Sequence, residues 1–168
     1  MIKRQQGLTT VEAAIGAALM LVILLGIIEI SRLVFVWNFL DEATRRGARV
    51  AAVCPFDHPA VRRVAIFSTP NGSNNSPLVN SLTTNNVNID YMDAAGNLSA
   101  DFAATKYVRA SINGFQIPLL MFNRVTLTAP PFSTTLPSES LGYNPDTGTC
   151  RCYGVQGSTG AEGCDAPP

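Results

Sequence analysis

The chain has a single histidine, and that scarcity removes most routes to catalysis before any fold is considered. His58 stands in Asp57-His58-Pro59, near Cys54, which is half of a metal site or of a Cys-His pair at best. No further ligand follows at a useful spacing, so it reads as a loop residue. Cysteine at redox spacing is also missing: Cys150-Arg151-Cys152 has one residue between its thiols where a Cys-x-x-Cys motif has two. The glycines from Gly154 to Gly163 lack the terminal Lys-Ser/Thr of a phosphate loop. No enzyme, no cofactor and no metal site are therefore expected. Charge of one sign is lacking as well. Twelve basic and twelve acidic side chains give a formal net charge of zero, so no global field draws in nucleic acid. Arg45, Arg46 and Arg49 form the one local basic cluster, but Asp41 and Glu42 lie a turn away, as on a solvated helix face. Asn97-Leu98-Ser99 fits a glycosylation sequon by letter only.

What is present is a long apolar run. Ala13 to Ile28 carries no charge, and Leu8 to Ile28 makes about 31 Å of helix, which matches a hydrocarbon core of about 30 Å. The start, Met1-Ile2-Lys3-Arg4, is basic like that of a signal peptide. After the run, however, the helical pattern continues through Gly26-Ile27-Ile28-Glu29 to Trp37 without a cleavage region, so a retained anchor is expected. Glu12 is the difficulty. An unpaired carboxylate deep in lipid costs several kcal/mol, so it either marks the headgroup edge or has a partner. Glu29 allows the edge reading at the other end, paired with Arg32. Basic residues on both sides of the run leave orientation ambiguous by charge alone.

Past the run, Leu33, Val36, Trp37, Leu40, Thr44, Gly47, Ala48 and Ala51 keep helical spacing on one face. Its later part is paved with Ala and Gly, which lets another element approach closely. Cys54-Pro55 is the natural stop, giving a helix over residues 8–52 of about 68 Å. Pro59 to Phe67 suggests a short helix and Ser68 to Thr84 a loop. Val87, Ile89 and Tyr91 alternate as a strand closed by Asp93 to Asn97, and Tyr107 to Ile117 is the strongest strand candidate. Leu119 to Phe122 is placed in the core in preference to a membrane-proximal contact. Val125, Leu127 and the stretch Phe132 to Leu136 give a last strand. The expected fold class is α+β: a long N-terminal transmembrane helix running into a small head with a three- or four-stranded antiparallel sheet against its small-residue face.

Cys54, Cys150, Cys152 and Cys164 complete the inventory, three of them near the C-terminus. One or two disulfides would restrain a tail that has few apolar anchors, which favours an oxidising compartment for the domain. Cys150 and Cys152, with only Arg151 between them, are expected to join other cysteines, because a bridge between them strains disulfide geometry. The pairing otherwise stays open.

Gln5-Gln6-Gly7-Leu8-Thr9-Thr10-Val11-Glu12-Ala13-Ala14 resembles the processing region of type IV prepilins. The resemblance implies cleavage after Gly7 by an aspartic prepilin peptidase, leaving Leu8 as the new N-terminus and Glu12 as the family's fifth-position glutamate. It also supplies a partner for that carboxylate, the free amine of a neighbouring subunit. Gly7, Val11-Glu12, Gly26-Ile27-Ile28-Glu29, Arg32-Leu33-Val34-Phe35 and Ala43-Thr44-Arg45-Arg46-Gly47-Ala48-Arg49 together are similar to the TadE-like pseudopilins of tight-adherence (Flp, type IVb) systems. Ala13 and Ala18 depart from the Phe and Pro that many members carry, which implies a straighter helix. A softer likeness extends over Lys106 to Phe115 with Pro118 to Leu120, and over Pro137 to Gly142.

The resemblance implies a pilin-like organisation: a leader at residues 1–7, an assembly helix at 8–54, an extracytoplasmic head at 55–142 and a cysteine-containing tail at 143–168. It implies a minor pilin or pseudopilin in pilus assembly or a related secretion apparatus. The bacterial inner membrane would hold it as a single-pass protein, N-terminus cytoplasmic and head periplasmic, with incorporation into a pilus as a further step. Partners would be the prepilin peptidase, other pilin and pseudopilin subunits, the inner-membrane assembly platform and the lipid bilayer. The runner-up is an unprocessed membrane-anchored adhesin or binding module.

Overall fold

The computed structural model describes residues 6–99, 101, 103–119, 125–139, 141–144, 149–150 and 152. The basic start with Lys3 and Arg4, the stretch Leu120-Met121-Phe122 and the tail cysteine Cys164 lie outside the described residues.

One helix dominates. α1 runs Gln6–Val53, 48 residues, or about 72 Å. Its two halves have different surroundings. From Thr9 to Leu25 every side chain is exposed, with Ile15, Leu19, Val22 and Ile23 each 58–63% accessible. From Val36 onward one face turns inward: Val36, Phe39, Leu40, Ala43, Thr44, Gly47, Ala48, Ala51 and Ala52 are buried at the three-and-four spacing of a single stripe. Trp37, expected on that stripe, is instead 40% exposed, while Phe39 takes the inward place. The head therefore approaches from an angle slightly rotated about the helix axis. The helix ends at Val53, two residues before Pro55, whose missing N–H could not continue it.

Helix α2 (Pro59–Ala65) follows, with Pro59 at its opening turn and His58 as its N-cap. Between it and the sheet, the polar 68–83 segment is held by a bridge of Asn75 with Thr83 and by buried Val79 and Leu82. The sheet is β1 (Val87–Met92), β2 (Tyr107–Ile112) and β5 (Phe132–Pro137), all antiparallel, with β2 central. Register puts Val87, Ile89 and Tyr91 opposite Ile112, Ala110 and Val108, and these opposite Phe132, Thr134 and Leu136, so one apolar face meets α1. Asp90, Arg109 and Thr135 share the other face, where Arg109 binds Asp90 at 2.9 Å.

The stretch Tyr107 to Ile117, expected as one strand, is two. It breaks at Gly114, whose φ of 64° a side chain would disfavour, and resumes as β3 (Gln116–Pro118). The expected last strand is likewise two: β4 (Thr126–Thr128) pairs with β3, and only β5 joins the main sheet. A hairpin is thus inserted between neighbouring strands. In the tail, β6 (Tyr143–Asn144) pairs with β7 (Thr149–Cys150).

The core has two parts, stacked along α1. The first joins Val36, Phe39, Leu40 and Ala43 to Ile66, Leu82, Val87, Ile112, Phe115 and Ile117. The second, farther from the exposed half, joins Ala51 and Cys54 to Val61, Tyr91, Val108, Leu141 and Cys152. Burying a side chain such as Leu40, fully enclosed, contributes about 1.5–3 kcal/mol. Small residues allow the closest approach: a Cβ added at Gly47 would lie 3.1 Å from Ala65 Cβ and 3.3 Å from Ala110 Cβ.

Candidate functional site

The candidate site is the exposed half of α1 and the junction that fixes the head upon it. Leu8 and Glu12 lie four residues apart on this helix, one turn and about 6 Å along its axis. Glu12 is exposed, as are all its neighbours to Leu25, so the structure presents a bare apolar rod with one carboxylate near its free end. From Glu12 to Glu29 is about 25 Å of axis, and no charge lies between them. α1 is long and apolar enough to cross a membrane, and its most apolar part is not buried within the protein.

The junction follows at once. Glu29 Oε1 lies 3.6 Å from Arg32 Nη1, realising the pair expected at this spacing. Arg32 does more: its two terminal nitrogens donate to the Pro118 carbonyl at 2.9 and 2.6 Å, tying α1 to the end of β3. Nothing in the sequence signals this contact, whose partners stand 86 positions apart. Higher on the helix, Thr44 Oγ1 lies 3.0 Å from Thr134 Oγ1, a hydrogen bond between α1 and β5 that joins two buried or half-buried hydroxyls. Arg45 pairs with Asp41 at 2.8 Å. Arg46, which has Glu42 four residues before it, lies over the Phe67 ring at 4.8 Å. Two members of the basic cluster are thus engaged within the fold.

At the far end, Cys54 and Cys152 form a disulfide across 98 positions, with Cα atoms 4.3 Å apart. Both are buried, at 0% and 4% exposure. This selects one bridge from the open set and fastens the tail to the end of α1. The backbone of Cys150 is in β7. Beside the bridge, Phe56 stacks on Tyr91 with ring centroids 4.1 Å apart, and the Tyr91 hydroxyl accepts the Asp57 N–H at 3.0 Å. Burial raises the Tyr91 pKa above its ordinary value, against the opposing effect of that hydrogen bond.

His58 caps a helix. Its Nδ1 accepts the Ala60 N–H at 3.2 Å, which requires an unprotonated nitrogen. Burial first, and Arg63 second, lower its pKa. Cys54, the cysteine nearest to it in sequence, is consumed in the disulfide. Among the described residues no group of three or more His, Cys, Asp or Glu is arranged to hold a metal ion. Asp93 accepts the N–H groups of Ala95 and Asn97 in the turn after β1, and the Asn97 bond above all lowers its pKa.

These features place chemistry in the shaft's surface and in the way it joins the head. No curated protein and no solved structure gives a significant match to the chain. A protein-family model does: the N-terminal region, residues 7–49, which takes in the bare shaft, the Glu29–Arg32 junction and the first turns against the head, matches the TadE-like protein family.

Proposed function

We propose that the chain is a minor pilin or pseudopilin that takes part in assembling a tight-adherence (Flp-type) pilus or a related secretion apparatus. The observation that carries this reading is the TadE-like match over residues 7–49, coinciding with a helix whose side chains from Thr9 to Leu25 are all exposed. In this account the prepilin peptidase cuts after Gly7. The inner membrane then holds the helix with Leu8 at its start and the head on the periplasmic side. Glu12 accepts the free amine of a neighbouring subunit, one charge offsetting the other where water is scarce. The assembly platform and other pilin or pseudopilin subunits replace lipid around the shaft.

The domain divisions follow from the same reading: leader 1–7, shaft 8–54, head 55–142, tail 143–168. The oxidised Cys54–Cys152 bridge suits an extracytoplasmic head.

Two measurements test it. Intact-mass and N-terminal analysis of the protein from its native membrane should find Leu8 first; a mature chain beginning at Met1 would favour the anchored adhesin or binding module instead. Glu12→Ala should leave membrane insertion and cleavage intact but reduce piliation, because a neighbour's amine loses its partner. Normal piliation in that variant would defeat the charge-pairing account.

A further inference from the structure

The head has an apolar underside, and it lies at the level where the shaft leaves the hydrocarbon. The axial positions follow from the helix itself. Arg32 is four residues beyond Ile28, about 6 Å, and Phe35 about 10 Å. A polar headgroup layer is about 5–7 Å thick on each side of the core, so Arg32 falls inside that layer, while the Phe35 backbone lies about 3 Å beyond it with a side chain that leans back toward the helix N-terminus and so toward the bilayer. Arg32 also holds Pro118, which fixes the height of the β3–β4 hairpin at the same level. The next backbone pair of that hairpin, Leu119 with Val125, lies one step farther from the head's first core cluster, in which Phe115 and Ile117 are buried.

Three large apolar side chains are exposed at this level, beside polar Asn80 and Ser81. Phe35 is 53% exposed, Val125 50%, and Leu78, in the 68–83 segment, 59%. Leu78 and Phe35 face one groove of about 470 Å³ whose wall includes Arg32 and Pro118, so the helix, the loop and the hairpin contribute to one surface. Such exposure is costly in water and unremarkable against lipid.

We propose that this underside rests in the headgroup layer of the bilayer that α1 crosses, so that the head is seated on the lipid through Phe35, Leu78 and the Val125 end of the hairpin. Its continuity with the membrane-crossing helix is what names the occupant. The inference depends only on α1 crossing a bilayer and stands apart from the pilus reading. Seating would hold the head at a fixed height and tilt against the shaft, and would be lost when the subunit leaves the membrane.

The test uses the full chain in phosphatidylcholine vesicles. Trp37 is the only tryptophan, so Trp37→Phe gives a silent background. Leu78→Trp and Val125→Trp are placed in it singly; both positions are half-exposed and tolerate a larger side chain. Leu98→Trp is the control: Leu98 is 73% exposed and bridges Met92 at the opposite end of β1. The expected result is loss of emission with lipids brominated near the headgroup, and protection from aqueous acrylamide, at 78 and 125 but not at 98. Equal acrylamide access at all three positions overturns the proposal. Protection at 78 and 125 without quenching by brominated lipid also overturns it, and assigns the surface to another protein copy.

Discussion

Removing the Cys54–Cys152 bridge tests how the head is held together. The bridge closes a loop across 98 positions, which contains α2, the whole sheet and the hairpin. In the chain-entropy account a loop of that size removes about 4.7 kcal/mol of conformational freedom from the unfolded state, and losing native bridges in small domains costs about 2–5 kcal/mol. Both sulfurs are buried, so alanine is the clean replacement; serine would add an unsatisfied hydroxyl. The double variant Cys54→Ala/Cys152→Ala leaves Cys150 and Cys164 in place. Urea unfolding in detergent, followed by near-ultraviolet circular dichroism of the tyrosines, reads the head and not the shaft. A loss of about 4 kcal/mol on a urea slope of about 2 kcal/mol/M lowers the midpoint by roughly 2 M. A fall of less than roughly 0.5 M would show that packing around Cys54 and Leu141 holds the tail without the covalent link, and the entropic reasoning would fail.

Gly47→Ala sets a gain of about 1 kcal/mol in helix propensity against crowding of Ala65 and Ala110, whose β-carbons move only with their backbones. It should be neutral to about 1 kcal/mol destabilising, whereas Gly47→Leu should cost about 3 kcal/mol or more; comparable urea midpoints for the two would refute the close approach. Tyr91 has its pKa raised from 10.0 by burial, so the folded head favours the protonated phenol. That contribution is full below pH 10 and is lost as pH rises through the folded value. Tyrosinate absorbance should show a late phase above the ordinary tyrosine range, and Tyr91→Phe should remove it. His58 has its pKa lowered from 6.5, so its cap on α2 is present above that pH and is lost as pH falls through the folded value. Proton NMR should place its midpoint below that of a free histidine, and His58→Gln should flatten the acid dependence of α2 amide exchange.

Where the signal is local and periodic, the sequence is legible. The stripe from Val36 to Ala51, the stop at Pro55, the start at Pro59 and the alternation of Val87, Ile89 and Tyr91 each express one element's own geometry, and the structure follows them. Failures arise where two elements share one pattern. Alternating apolar residues continue from Val108 and Ala110 to Phe115 and Ile117, so nothing but Asn113-Gly114 marks the break between β2 and β3. Val125 and Leu127 likewise run toward Phe132 as if in one strand, yet they belong to a hairpin. The small residues of α1 announced close packing but not its angle, and a modest rotation exchanged Trp37 for Phe39. The Arg32–Pro118 clamp and the choice of Cys152 as partner for Cys54 are long-range, and no local spacing encodes them. Of the proposed site, the apolar run and Glu12 were therefore readable, while the junction that orients the head was not.

Arg32 also explains why the change of surroundings along α1 occurs where it does. A guanidinium one turn deeper would enter the hydrocarbon at a cost of several kcal/mol, or would drag the Pro118 end of β3 with it. One turn shallower, Gly26, Ile27 and Ile28 would be drawn toward water with no head surface to cover them. In a bilayer the Glu29–Arg32 pair would set the depth of the shaft, and the bond to Pro118 would transfer that setting to the head. Replacing the guanidinium should loosen the second effect more than the first, since Glu29 and the apolar run still define the span. Arg32→Gln, measured with the Val125→Trp reporter in vesicles, should lessen quenching by shallow brominated lipid while the protein remains membrane-bound. Unchanged quenching would mean that the hairpin is held by Phe115 and Ile117 alone and that Arg32 serves only Glu29.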